Sequence, residues 1–485
     1  MLWTPDESQQ QFIRRYAKSV ETGDVALFAG AGLSRSAGFV DWKALLSDIA
    51  KDLKLDINRE HDLIAVAQYH VNEKQNRSRI NQAIIDELSE GAELTRSHAI
   101  LARLPFASVW TTNYDQLLEK SFEEAGKTVD LKITQENLAQ SRRGRDVIVY
   151  KMHGCVTQPQ DAVITKDDYE QYEQRRQLFV ESLKGDLISK TFLFLGFSFT
   201  DPNIDYILSR VRVLLGKNQR EHFCIMRKPQ CPPKLDGQLK SDYEYELRKT
   251  QLREQDLHRF GINTVFVDDF AHITDIIESL ASFIHRKTVF VSGAAHDYGP
   301  LGRDRIEGLV RCIGSRLISD GYNLVSGFGY GIGEQCVVGA LRALFAVSKG
   351  GERDRVTVRP FPGTKGSGHA QQNKAHREDL IARSGVVVVL CGNGEGLDGK
   401  TQESAGVFEE VDIAIREKKV VIPIGATGHA ADTIWNRAKE SPRKYLQSVE
   451  PGKEFDVLGN VGASNDEILE ALSTLLQRAE KSVTF

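Results

Sequence analysis

The feature that most limits the fold is a short apolar run ending abruptly in glycine, and both halves of the chain carry it. Val25-Ala-Leu-Phe-Ala29 runs straight into Gly30-Ala31-Gly32-Leu-Ser34, and Val289-Phe-Val-Ser292 runs into Gly293-Ala294. Runs that are apolar at nearly every position suit strands buried on both faces, the condition of a parallel sheet flanked by helices. Further runs of this type lie at 108–111, 147–150, 191–195 and 221–226, and then at 288–291, 322–325, 356–359, 386–390 and 420–424. Between them the apolar spacing turns helical, at 42–104, 203–215 and 243–260 in the first set and at 304–320 and 403–418 in the second. The alternation predicts an α/β chain with two mostly parallel sheets in two domains, 1–284 and 288–485, divided near residue 286 after the amphipathic stretch 273–284. The Gly- and Lys-rich segment 363–373 reads as a mobile loop.

Length allows this division, since 485 residues correspond to roughly two to four domains of ~150 residues. With 41% apolar and 27% charged residues, the chain has the composition of a globular protein rather than a disordered or fibrous one. The formal net charge is −4, and no basic stripe accompanies it, so neither nucleic acid nor a membrane surface is an expected partner. No apolar run approaches the ~20 residues needed to span a bilayer. The start, Met-Leu-Trp-Thr-Pro-Asp, lacks the basic and apolar regions of a signal peptide, which predicts a cytoplasmic protein. The six cysteines at 155, 224, 231, 312, 336 and 391 include no C-x-x-C pair. Reduced thiols and no zinc module or other metal site are the expectation.

In the first half, Gly30-Ala31-Gly32 directly after a strand would let backbone N–H groups approach a pyrophosphate. Three further segments follow predicted strands: Thr-Asn113-Tyr-Asp115, Lys151-Met-His153-Gly154 and Leu195-Gly196-Phe-Ser198. Open α/β sheets hold their ligands at such ends. In this order the four segments resemble the sirtuin family, with its Gly-Ala-Gly-x-Ser, Asn-x-Asp, His-Gly and Gly-x-Ser motifs. The resemblance implies a Rossmann-like domain with NAD+ over Gly30, Ala31, Gly32 and Ser34, and with Gly196 and Ser198 also lining the cofactor. It further implies that Asn113 orients the ribose or a water, that Asp115 meets the nicotinamide carboxamide, and that His153 acts as base or holds ribose hydroxyls. Sirtuin deacylases also carry a four-cysteine zinc module, absent here, and their Gly-Ile-Pro-Asp-Phe-Arg segment stands as Gly38-Phe-Val-Asp41-Trp42. Glycosidic cleavage with water as acceptor is then the expected reaction, NAD+ being substrate.

In the second half, Val325-Ser326-Gly327-Phe-Gly329-Tyr-Gly331-Ile-Gly333 places alternate glycines at a strand-to-helix junction, a nest of N–H donors suited to phosphate. Arg377, Cys391-Gly392-Asn393 and Gly406-Val-Phe-Glu-Glu410 follow. These pieces resemble the SLOG superfamily of Rossmann-like nucleotide binders. The Pro-Gly-Gly-x-Gly-Thr segment of its hydrolytic branch is absent, which implies a sensor domain. The resemblance implies that Ser292, Gly293, Ser326, Gly327, Gly329, Gly331, Arg377, Gly392, Asn393 and Glu410 bind a signal nucleotide. Close relatives carry a lysine where Gly394 stands, and Lys400 is the candidate substitute.

Together the halves resemble the effector family of Thoeris antiphage defence. That resemblance implies hydrolysis of NAD+ to nicotinamide and ADP-ribose, switched on by a cyclic ADP-ribose isomer from a partner TIR-domain protein. It also implies abortive infection through NAD+ depletion, and a homo-oligomer, tetrameric or larger. An NAD-dependent protein deacylase and a non-catalytic NAD- or nucleotide-binding regulator are the alternatives.

Overall fold

Val25–Ala29 (β1) is buried at all five positions, and its place in the sheet explains why no polar residue interrupts it. β1 pairs in parallel with Ser108–Thr111 (β2) on one side. On the other side it pairs in parallel with Thr191–Leu195 (β5). The computed structural model describes residues 3–89, 91–232, 237–347, 355–361, 369–396 and 399–481. It divides into two compact units, Met1–Ala281 and Ser282–Phe485.

In the first unit Val129–Lys132 (β3), Val147–Lys151 (β4), His222–Arg227 (β6) and Ile262–Val267 (β7) complete an all-parallel sheet in the order β3-β4-β2-β1-β5-β6-β7. The two edge strands, β3 and β7, were not among the expected strands. β3 is half-polar and β7 is buried at only half of its positions, as edges tolerate, and β3 buries Asp130 and Lys132 as a 2.8 Å ion pair. Phe28, Phe192 and Phe194 pack against helices Gln177–Ser189 and Pro202–Leu215 through Phe179, Leu183, Ile204 and Leu208. The stretch 42–104 folds into several short helices whose core includes Leu46, Ile49, Val66 and Ile84, joined by Tyr114 and Leu117 from beyond β2.

In the second unit Thr288–Ala294 (β8), Asn323–Ser326 (β9), Val356–Val358 (β10), Val386–Cys391 (β11) and Val420–Pro423 (β14) form a second parallel sheet, ordered β10-β9-β8-β11-β14. Asn393–Glu395 (β12) and Thr401–Glu403 (β13) add an antiparallel hairpin that the sequence did not suggest. Its strands are three residues each and polar, so no apolar alternation marks them. Of the expected loop 363–373, residues 363–368 lie outside the described residues, while His369–Ala382 is helical. The loop expectation is corrected there.

Both sheets start in their middle. The chain lays later strands first on one side of β1 and of β8, then on the other. Each sheet therefore reverses its winding beside its first strand, at β1/β5 and at β8/β11, which is where α/β folds open a crevice for ligands.

Candidate functional site

At the first reversal two turns interlock. Gly30 N–H donates to the Leu195 carbonyl at 2.8 Å, and Gly32 N–H donates to the Gly196 carbonyl at 2.9 Å. A Cβ on Gly30 would stand 2.5 Å from Gly196 O, and one on Gly196, where φ is +62°, would stand 2.4 Å from Leu33 N. These glycines are demanded first by the contact of two backbones, with any phosphate approach at Gly30–Gly32 in addition. Ala31 and Gly32 are exposed.

β2 ends in Thr111, whose Oγ1 donates to Ala29 O (2.8 Å) and accepts the Asn113 N–H (3.0 Å). This bends Asn113 back over β1. Its Nδ2 donates to Gly30 O at 3.0 Å and to Ser34 Oγ at 2.8 Å. Ser34 Oγ in turn donates to Asp115 Oδ2 at 2.6 Å, and Asp115 Oδ1 accepts the Leu117 N–H at 3.0 Å. All three side chains are buried. With both amide protons engaged, the Asn113 amide is fixed so that Oδ1 is its acceptor.

Thr111 pairs with Lys151 across β2 and β4, so Asn113 and His153 each lie two residues past paired positions. His153 is 2% exposed. Its Nε2 sits 3.3 Å from Asp201 Oδ2, and the Tyr169 and Tyr172 rings stand edge-on to it. Burial pushes the imidazole pKa down and Asp201 opposes this, which leaves a neutral ring at pH 7. The neighbouring Lys151 ammonium is buried against the Asp115 carbonyl and Glu119, so no free cation enters from that side chain.

At the second reversal the backbone contact recurs. A Cβ on Gly293 would meet Leu390 O at 2.3 Å, one on Gly329 would meet Gly293 O at 2.1 Å, and one on Gly327 would meet the Phe361 ring at 2.8 Å. Gly331 has φ +72° with the Tyr298 hydroxyl 2.8 Å from its would-be Cβ. Ser326 Oγ accepts the Phe328 N–H at 3.1 Å.

Ser292 Oγ donates to Glu410 Oε2 at 2.5 Å, both groups being buried. Burial pushes the Glu410 carboxyl up to about 7, against the pull of Ser292 and Arg377. Arg377 donates from Nη1 to Glu409 Oε2 at 2.7 Å, holds Nε 3.7 Å from Glu410 Oε1, and lies over the Phe361 ring at 5.0 Å.

Two family models match: a SIR2-like domain over residues 107–253, and the Sir2- and TIR-associating SLOG family over residues 272–479. The chain is 43% identical over 474 residues to the NAD(+) hydrolase ThsA of Bacillus cereus (strain MSX-D12), spanning 97% of each protein. It is 39% identical to the NAD(+) hydrolase ThsA of Acinetobacter baumannii (strain 532279) over 97% of this chain and 98% of that one. The chain belongs to the ThsA family. Defense-associated sirtuin 2 of Bacillus subtilis is 24% identical over 46% of this chain and 23% of its own length.

In this ThsA-family chain, the expected first-half residues Gly30, Gly32, Ser34, Asn113, Asp115 and Gly196 meet in one cluster, as their contacts show. Ser198 does not join it: the residue is exposed and bonds Thr200 Oγ1 at 2.7 Å. In the second half Ser292, Arg377 and Glu410 meet, while Gly293 and Gly329 form the turn contact beside them. Asn393 takes a different part. Its Oδ1 accepts the His296 and Asp297 N–H groups, at 2.9 and 2.8 Å, and its Nδ2 donates to Asp297 O at 2.7 Å. That side chain braces a loop with its oxygen and one of its two amide protons. Gly392 (φ +86°) donates to Ala294 O at 3.0 Å. Lys400 lies exposed in the β12–β13 hairpin, its carbonyl accepting the Gly396 N–H at 2.8 Å.

Sequence reasoning missed Thr111, Asp201, Tyr169 and Glu409. Asp201-Pro202-Asn203 carried a usable sign: Asp before Pro opens a helix, and Asp201 Oδ1 accepts the Asn203 and Ile204 N–H groups, each at 3.0 Å. No helix among the described residues is long and apolar enough to cross a membrane, and no group of three potential metal ligands occurs among them.

Proposed function

We propose that the first unit hydrolyses NAD+ to nicotinamide and ADP-ribose, and that the second unit controls this by binding a cyclic ADP-ribose isomer. The observation that carries the first part is the Asn113–Ser34–Asp115 relay at the winding reversal. Breaking the bond between ribose C1′ and the nicotinamide nitrogen builds positive charge on the sugar, and the neutral pyridine leaves with the electron pair. Such a step asks for oriented acceptors rather than a strong nucleophile. The fixed Asn113 Oδ1 suits a ribose hydroxyl or the attacking water, and Asp115 supports it through Ser34. His153, neutral through burial, takes the proton that water loses as its oxygen bonds C1′. The pyrophosphate would lie over Gly30–Gly32.

The activity for which the relatives are named supports this reaction, and the family name linking Sir2, TIR and SLOG supports a TIR-domain partner as the source of the signal. In the second unit Arg377 offers a guanidinium to phosphate, and Glu410 with Ser292 suits ribose hydroxyls. Coupling requires that the ligand favour one of two states of the protein. We assign that change to a homo-oligomer, tetrameric or larger, whose rearrangement opens the NAD+ cleft. Depletion of NAD+ in an infected cell would then abort phage growth.

One assay tests the reading: nicotinamide release from NAD+ by the full chain, with and without each cyclic ADP-ribose isomer, beside Asn113→Ala. Signal-dependent release that Asn113→Ala abolishes is the expected result. Release unchanged in Asn113→Ala overturns the mechanism, release only with an acyl-lysine peptide indicates a deacylase, and binding without release indicates a regulator.

A further inference from the structure

The surroundings of His153 differ from those of a core histidine. Its buried Nε2 has no hydrogen bond, yet it faces the Asp201 carboxylate at 3.3 Å. Asp201 is 10% exposed at its side chain and divides its two oxygens between two tasks. Oδ1 caps helix Pro202–Leu215 by accepting the Asn203 and Ile204 N–H groups. Oδ2 accepts the Tyr169 hydroxyl at 3.3 Å and is the oxygen that faces the imidazole. The cap fixes where the carboxylate stands, and Phe199, held at φ +54° two residues earlier, shows how sharply the chain turns to put it there.

We propose that Asp201 is a positioning residue for the hydrolysis, holding His153 with its proton on Nε2 so that Nδ1 is the nitrogen that accepts the proton of the attacking water. The inference rests on the reading of His153 as base. A neutral imidazole carries one proton, and a carboxylate beside one nitrogen draws it there, which leaves the other basic. The Nε2–Asp201 approach is off-line in the free chain, and catalytic hydrogen bonds commonly tighten when substrate arrives. When water attacks C1′, its O–H bond breaks, the C1′–nicotinamide bond breaks, the proton reaches Nδ1, and the imidazolium so formed stands beside a carboxylate in a water-poor space. The proton then passes to solvent, and the enzyme is regenerated.

Other groups face the ring as well. Tyr169 and Tyr172 meet it edge-on, Arg176 disfavours its protonation, and Asp168 favours it less than Asp201 does. Removing the Asp201 charge leaves burial and Arg176 opposed only by Asp168, so the imidazole pKa moves lower still.

Asp201→Asn tests this cleanly, because asparagine caps a helix as well as aspartate does. Nicotinamide release from NAD+ is followed across pH with the full chain, a cyclic ADP-ribose isomer present at saturation. Expected are a fall in kcat of about 10–100-fold with KM little changed, and an acid limb of the pH profile displaced to lower pH. A merely structural cap would move neither limb nor kcat at constant melting temperature. Parent-like kcat and acid limb in Asp201→Asn, with His153→Gln inactive, overturn this inference alone. His153→Gln with parent-like activity overturns the reading beneath it. If Asp201→Asn folds poorly, Asp201→Ser, also a good cap, carries the same measurement.

Discussion

Each unit sets a buried serine, beyond its first strand in one and within it in the other, against a buried carboxylate, and the two pairs differ in what stands behind them. Ser34 meets Asp115 at 2.6 Å and Ser292 meets Glu410 at 2.5 Å. Behind Asp115 are neutral donors: Asn113 through Ser34, and the Leu117 N–H. The nearby Lys151 is occupied by Glu119 and a carbonyl. Behind Glu410 stands Arg377, with Glu409 on its other side. A site that must favour a cationic sugar has no reason to present a cation, whereas one that takes phosphates needs one. On the proposed reading, a similar serine–carboxylate pair would serve bond breaking in one unit and recognition in the other.

Crossing the variants breaks this comparison if it is wrong. Asn113→Ala should lower NAD+ hydrolysis about 10²–10³-fold, the usual cost of losing one oriented polar group at a reacting centre. Binding of the cyclic nucleotide, followed by calorimetry, should stay within about twofold. Arg377→Ala should raise the half-activating signal concentration by roughly 30–1,000-fold, since truncating a desolvated charge partner costs about 2–4 kcal/mol. Loss of hydrolysis in both variants with binding intact in both would remove the division of labour.

The acid of the second cluster gives a pH test. Glu410 is pushed up to about 7 by burial, so the folded unit holds a proton that the unfolded chain releases near the ordinary carboxyl value of ~4.3. Its contribution to stability is therefore greatest at low pH and falls as pH rises through that interval, by on the order of 3–4 kcal/mol. Calorimetric melting of the full chain should show the SLOG transition moving down between pH 5 and 8. Glu410→Gln should flatten that slope, and a slope unchanged in the variant would show that another group sets it.

Much of this was legible because buried parallel strands leave uninterrupted apolar runs. Val25–Ala29, Ser108–Thr111 and Thr191–Leu195 fall where the pattern put them, being strands closed in on both faces. β3 and β7 escaped because edge strands need less apolar sequence: β3 is half-polar and β7 opens with Asn263 and Thr264 after one isoleucine. The glycines were legible as tight turns, but their contacts were not: that Gly196 abuts Leu33, or Gly329 abuts Gly293, depends on two distant segments meeting. Asn393 shows another such contact, its side chain bonded to a loop three strands back in the chain order, which no local pattern announces. Asp201 and Glu409 were invisible as functional groups, since nothing local tells a capping or surface carboxylate from one that faces an imidazole or a guanidinium.

Glu409 provides the finest test of the contrast. Its carboxylate, 37% exposed at the side chain, holds Arg377 Nη1 at 2.7 Å, on the very fork a phosphate would use. On the proposed reading a ligand phosphate displaces it, which would make Glu409 an internal competitor in the SLOG unit, whereas the Asn113 amide of the first cluster is held by neutral partners. A half-exposed ion pair contributes about 0.5–1 kcal/mol, which sets the expected effect. Glu409→Gln should lower the half-activating concentration of the cyclic ADP-ribose isomer by about two- to fivefold, with the maximal rate of NAD+ hydrolysis unchanged. Salt should narrow the difference between variant and parent, because the competing pair is partly open to solvent and screened. A rise in the half-activating concentration would instead mean that Glu409 orients Arg377 for the ligand, and the guanidinium would then be preorganised by its neighbour rather than withheld by it.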